Sequence, residues 1–172
     1  MNQNEHAPAR NPEPDDGHRD AGAAGRGFDA VTRYRLHTLG IDPERLRWLP
    51  LRERTDTLYR LFVSRVPYEN LSGNRSCAEC PDEPSAWPRG TDRFLRDHKH
   101  CGLGGSSFAM AYALRDLLAG LGTSAHCTVG KNLATDRPHA AVVVYLDGEA
   151  LLYDPGLLTT GPLPIRPGGC LE

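Results

Sequence analysis

The sequence predicts an α+β fold: an N-terminal helical region, then one long helix packed on an antiparallel β-sheet or barrel. Three observations carry this. Apolar residues recur at helical spacing before residue 66. A strongly apolar helical stretch follows the glycines at 102–105. Beyond it the pattern changes to Val-rich runs joined by an Asp-Gly pair, the pattern of paired strands.

Residues 1–27 are rich in Pro, Gly, Ala, Asp and Arg and have no bulky apolar residue after Met1. Such a segment buries too little surface to offset its ordering entropy, so a disordered tail is expected. Order is expected from Phe28. Phe28, Val31, Arg35, Leu36 and Leu39 follow helical spacing, and Gly40 is a stop signal. Leu51, Leu58, Leu61 and Phe62 form a second stripe over residues 50–65, with Arg and Glu opposite and Pro67 beyond. Residues 72–90 hold Gly, Ser, Pro and two cysteines and read as a loop or linker, followed by a short helix over 92–97.

Phe108, Ala111, Leu114, Leu118 and Leu121 mark one face of the clearest helix, with Gly122 closing it. Ser106 or Ser107 is the expected N-cap. Residues 126–129 read as a strand, and residues 140–146 as a second. Asp147-Gly148 then turns the chain back through residues 151–153 as a hairpin with a type I′ turn. Residues 159–172 show no closing element. The expected layout is a tail at 1–27, a helical region at 28–71, a linker with a short helix at 72–100, and a helix plus β-rich region at 101–172.

Of the 172 residues, 39% are hydrophobic and 24% charged, enough for a core in a water-soluble domain. The net charge of -2, with no basic block, points away from nucleic acid and anionic membranes. No apolar run reaches the roughly 18 to 20 residues that span a bilayer. Met1-Asn2-Gln3-Asn4-Glu5 has no secretory h-region, so a cytoplasmic protein is expected. Its five cysteines are then reduced thiols.

The chemistry concentrates at three places. In Gly104-Gly105-Ser106-Ser107-Phe108, the glycines allow close backbone approach ahead of a helix start. A nucleophile there sits at the positive end of the helix dipole, beside unpaired N–H groups that can hold an oxyanion. Taken alone, the two serines are better explained as caps. His139 opens one strand and Asp154 ends the next, so the hairpin brings them together, and an aspartate can orient an imidazole base. Alone, they are an exposed histidine and an Asp-Pro-Gly turn. The order nucleophile, histidine, aspartate makes Ser107, His139 and Asp154 the candidate catalytic residues. Cys77-x-x-Cys80, with His98, His100 and Cys101 downstream, is half of a zinc site whose second half lacks a standard spacing, so no metal is expected. Cys127 reads as core, and Trp48 and Trp87 as packing residues.

This order and setting resemble the papain-like superfold, which includes transglutaminases. Within it, residues 104–122 resemble the nucleophile helix of the arylamine N-acetyltransferases, with Ser107 on the family's cysteine. Pro138-His139 is similar to its histidine strand and Tyr153-Asp154-Pro155-Gly156 to its aspartate segment. Arg65-Val66-Pro67-Tyr68-Glu69-Asn70-Leu71 resembles its "IPFENL" segment. The resemblance implies acyl transfer from acetyl-CoA or another CoA or carrier thioester to an arylamine or other amine. Acetyl-CoA would be cosubstrate, with no bound cofactor, and the partners would be small molecules. Ser107 would be nucleophile, His139 base and Asp154 its orienter. The chain departs from the family in three ways: Ser for Cys at 107; Leu103, Ala109 and Ala111 where the family has Arg and polar residues; and no counterpart of its C-terminal lid region. A non-catalytic binding module and a serine hydrolase using the same three residues are the alternatives.

Overall fold

Asp29 begins the first element: its carboxylate accepts from the Thr32 N–H at 2.6 Å and caps α1, Ala30–Thr38. The structure, a computed structural model, describes residues 27–79, 89–132 and 136–166, and of Cys77 and Asn132 only the backbone. The expected tail, apart from Gly27, lies outside these residues. Helix α1 closes at Gly40, whose φ of 70° is the left-handed region that favours glycine. Leu36 and Leu39 are buried, but Val31 is 53% exposed, so the stripe is narrower than its spacing suggested.

A short helix that the periodicity did not predict, α2 (Pro43–Arg47), follows Asp42 as N-cap and Pro43 in its first turn. Its carbonyl end is closed from outside. Arg54, buried on α3 (Leu51–Arg65), donates to the carbonyls of Leu46, Arg47 and Leu49. Leu58, Tyr59 and Phe62 bury the inner face of α3. Trp48, expected to pack, is 70% exposed with the Arg47 guanidinium over its ring. Trp87 lies outside the described residues.

Residues 72–79, expected as loop, belong instead to α4, Leu71–Glu79. Gly73 and the serines hide this helix from a propensity argument. Polar contacts support it: the Glu69 carboxylate accepts from Ser72 N–H, Arg75 pairs with Glu79 one turn on, and Arg93 reaches the same carboxylate from further along the chain. Helix α5 runs Thr91–Cys101, longer than the six residues expected, and stops at Gly102 with φ 68°. The sequence spacing marks a single face of helix α6, Ser107–Gly120, but the helix buries more than that face. It is apolar nearly all round: Ala109, Met110, Ala113 and Leu117 are buried along with Ala111, Leu114 and Leu118. A helix of that composition belongs in the middle of a core.

Four strands follow, β1 (Ser124–Asn132), β2 (Arg137–Leu146), β3 (Glu149–Tyr153) and β4 (Leu163–Pro164), antiparallel in the order β1-β2-β3-β4. The β2–β3 turn has φ 54° at Asp147 and 76° at Gly148, as a type I′ turn requires. Strand β4 corrects the expectation that nothing closes residues 159–172; Leu163 pairs with Leu152, and Ile165 N–H donates to the Ala150 carbonyl. Two residues flanked by proline carry too little pattern to read as a strand. Helix α6 packs on β1 and β2. Cys127 lies against this core partly buried, and burial pushes its thiol pKa up. Among the described residues no helix is long and apolar enough to cross a membrane.

Tyr59 of α3 and Tyr153 of β3 meet edge to face, 5.2 Å between ring centres. Burial holds both phenols protonated above the ordinary value of 10.0, and for Tyr153 the Asp56 carboxylate, accepting from its hydroxyl at 2.6 Å, adds to the effect. A pKa raised by folding stabilises fully below the unfolded value and loses that contribution as pH rises beyond it. The thermal midpoint is therefore expected to fall steeply above pH 10, and Tyr153→Phe to flatten that fall. Identical alkaline slopes for the two proteins would show that Tyr153 does not drive it.

Candidate active site

Ser107 is the first residue of α6 and is 4% exposed. Ser106 takes the N-cap position with extended backbone but makes no side-chain cap hydrogen bond. The first-turn N–H groups of α6 therefore keep their positive ends without a cap from that side chain. The Ser107 hydroxyl accepts from the Ala140 N–H at 3.4 Å, which ties the helix start to β2.

His139 and Asp154 meet as the hairpin predicted. Val142 pairs with Tyr153, so Asp154 extends the register opposite Ala141, and His139 lies two residues further along on the same face. Diagonal neighbours of this kind are within reach of long side chains. The His139 Nε2 lies 2.9 and 2.8 Å from the two carboxylate oxygens of Asp154. A carboxylate only accepts, so Nε2 is the donor toward Asp154 and Nδ1 is the ring nitrogen left for another partner.

Asp154 is 3% exposed and held on every side. Its Oδ1 also accepts from the N–H groups of Gly156 and Leu157, each at 3.0 Å, folding the Asp-Pro-Gly segment around the carboxylate. The Tyr59 hydroxyl donates to the Asp154 carbonyl and meets the Thr159 hydroxyl, pinning both ends of the loop to α3. Gly156 lies where the three groups converge. A Cβ there would come 2.7 Å from His139 Cε1, 2.9 Å from Ser107 Cβ and 3.4 Å from Asp154 Oδ1. One point thus touches all three residues singled out from the sequence.

Ahead of the helix, Gly104 and Gly105 run beside the segment 67–69. Gly105 N–H donates to the Pro67 carbonyl, and Glu69 N–H to the Gly105 carbonyl. A Cβ on Gly104 would fall 1.7 Å from the Pro67 carbonyl oxygen, so only glycine fits. Glu69 also accepts from Gly104 N–H at 3.1 Å. Glu69, Tyr59 and Gly156 contact the backbone or side chains of this cluster, and Arg89 donates to the Gly104 carbonyl; none of the four is singled out as functional by the sequence. Glu69 and Gly156 stand in the motif segments quoted above; Tyr59 and Arg89 carry no sequence signal.

Among the described residues no group of three His, Cys, Asp or Glu side chains could hold a metal ion. Cys80 and the side chain of Cys77 lie outside them. His98 contacts the Leu103 carbonyl through Nδ1, and Cys101 is exposed at the end of α5.

No family model and no curated protein matches this sequence. Solved structures do. Arylamine N-acetyltransferase C from Bacillus anthracis aligns over 80% of this chain and 54% of its own, at 13% identity and a TM-score of 0.56. An arylamine N-acetyltransferase from Bacillus cereus, described as having a unique Cys-His-Glu catalytic triad, aligns over the same shares at 18% identity and a TM-score of 0.59. Legionella pneumophila LapG aligns over 80% of this chain and 70% of its own, at 16% identity and a TM-score of 0.52. The chain spans about half the length of the two acetyltransferases. At these identities the likeness is one of fold: the chain has the papain-like α+β fold of the N-acetyltransferase structures.

Proposed function

We propose that this chain transfers an acyl group from a CoA or carrier thioester, acetyl-CoA being the simplest, to an arylamine or other amine through an ester on Ser107. The observation that carries this reading is the pairing of His139 Nε2 with a buried Asp154 beside a serine at a helix start. In the first half-reaction the Ser107 oxygen bonds to the thioester carbonyl carbon while its proton passes to His139 Nδ1. The carbon–sulfur bond then breaks, and the thiolate leaves with that proton. In the second the amine nitrogen attacks the ester, His139 takes its proton, and the Ser107 oxygen recovers it. The oxyanion of each tetrahedral intermediate would be held by first-turn N–H groups of α6. The exposed Tyr68, paired with Gly105, and Leu157, following Gly156, offer apolar surface close to the site for an aryl or acyl group.

Incubation with acetyl-CoA is expected to leave an acetyl ester on Ser107, found by peptide mass mapping, and an added arylamine is expected to discharge it. Ser107→Ala should carry no adduct. Discharge by water alone, indifferent to amine, would make the chain a hydrolase; no adduct from any CoA thioester would leave a binding module.

A further inference from the structure

The strongest feature outside the three residues is a buried arginine that reaches the backbone just ahead of the nucleophile. Arg89 is 6% exposed. Its guanidinium pairs with Asp97 on α5 at 2.6 Å, donates to the Gly104 carbonyl, and lies over the Phe94 ring at 5.3 Å. Burying a guanidinium is costly unless its charge and N–H groups are matched, and here one fork serves a carboxylate and a carbonyl together.

The Gly104 carbonyl that Arg89 holds belongs to a gripped pair. Gly104 N–H goes to Glu69, Gly105 N–H to Pro67, and the Gly105 carbonyl to the Glu69 N–H. Ser72 adds a 3.4 Å hydroxyl contact to the Gly104 carbonyl. Every backbone polar group of these two glycines is engaged. None is left to bind substrate, so their purpose is orientation. Two residues later stands Ser107, whose angle to His139 depends on how this pair is held.

We infer that Arg89 is a positioning residue for the nucleophile: acting through the Gly104 carbonyl, it sets the direction of the first turn of α6 relative to His139. This rests on the reading of Ser107 as nucleophile. With Arg89 removed, the 104–105 peptide keeps the 3.3 Å bond from Gly105 N–H to Pro67 and the 3.4 Å Ser72 contact, but its carbonyl loses its shortest partner and can tilt. The first-turn N–H groups then point less directly at the side chain of residue 107, and a thiolate placed there is less stabilised.

The test uses the full chain carrying Ser107→Cys, with iodoacetamide labelling at position 107 followed against pH by mass mapping. Arg89→Met is expected to slow labelling near neutral pH on the order of tenfold, within the 10²-fold that a misplacement of roughly 1 Å can cost. It should also raise the pH midpoint of labelling. Arg89→Lys keeps the charge facing Asp97 but loses the fork, so it should fold like its parent and fall between the two in rate and midpoint. Parental rate and midpoint in both variants would overturn the inference while leaving the nucleophile reading intact. Loss of folding in both, with unchanged labelling of the folded fraction, would overturn it too, since Arg89 would then only support the core. A parent that labels at position 107 no faster than at Cys101 would overturn the nucleophile reading itself, and this inference with it.

Discussion

Asp154→Asn in a Ser107→Cys chain is expected to remove most of the reactivity at position 107 without unfolding the protein. The serine and cysteine side chains are nearly isosteric. A thiol at the start of α6, facing an imidazole, should ionise partly before substrate arrives, so Ser107→Cys is expected to label rapidly with iodoacetamide and to raise acyl transfer. His139→Ala should abolish both gains. The effect of Asp154→Asn follows from the hydrogen bonds of the carboxylate. Oδ1 accepts from Gly156 and Leu157, so an asparagine must place its carbonyl oxygen there. Its NH2 then occupies the Oδ2 position and faces His139 Nε2, at present 2.8 Å away. An Nε2–H would then press against that NH2, although Oδ1 stays 2.9 Å away, so the proton is expected to favour Nδ1 and block the nitrogen needed as base. In the best-studied serine triad this tautomer error costs on the order of 10⁴ in kcat. Labelling rates for the three variants, compared with Cys101 as an internal exposed thiol, decide it. Equal rates at the two positions, unaffected by His139→Ala, would mean that the three residues do not act as a site.

The second large effect is expected from a single methyl group. Gly156 has no positive φ, so its backbone can accept alanine, and only the space opposes it. A Cβ 2.7 Å from His139 Cε1 and 2.9 Å from Ser107 Cβ is closer than real side-chain contacts come. Either the imidazole or the 154–157 loop must move. The loop is pinned by Asp154 to its own N–H groups and by Tyr59 to α3, so the imidazole is the softer partner. Gly156→Ala is therefore expected to lower acyl transfer, or labelling in the Ser107→Cys chain, on the order of 10²-fold or more. Its stability cost should be that of an overpacked site, about 1 to 3 kcal/mol. Full activity with an unchanged thermal midpoint would show that the three residues are not packed around Gly156 as described.

The places where sequence reading failed have specific physical causes. Helix α2 was missed because five residues carry too little periodicity, although Asp42-Pro43 is a start signal. Helix α4 reads as loop because Gly73, Asn74 and two serines are weak helix formers, and its ends are held by Glu69 ahead of it and by the pairs of Glu79 with Arg75 and Arg93. Trp48 was assigned to packing by its type, yet its position after α2 turns it to solvent.

What the sequence determined by itself is whatever depends on neighbours along the chain. The Asp147-Gly148 turn sets the hairpin register, and the register places His139 diagonal to Asp154 before any tertiary contact forms. The glycines before Ser107 and the apolar run after it announce a buried helix with a serine at its start. What only the tertiary structure decided is how that helix start meets the hairpin. Ser107 is brought to Ala140 by α6 packing across β1 and β2, and the Gly104–Gly105 backbone is oriented by Glu69 and Arg89, from 35 and 15 residues away in sequence. Those contacts join groups with no shared period and no fixed spacing. A one-dimensional pattern records a turn or an amphipathic face; it does not record which buried guanidinium will find which carbonyl once the core has closed.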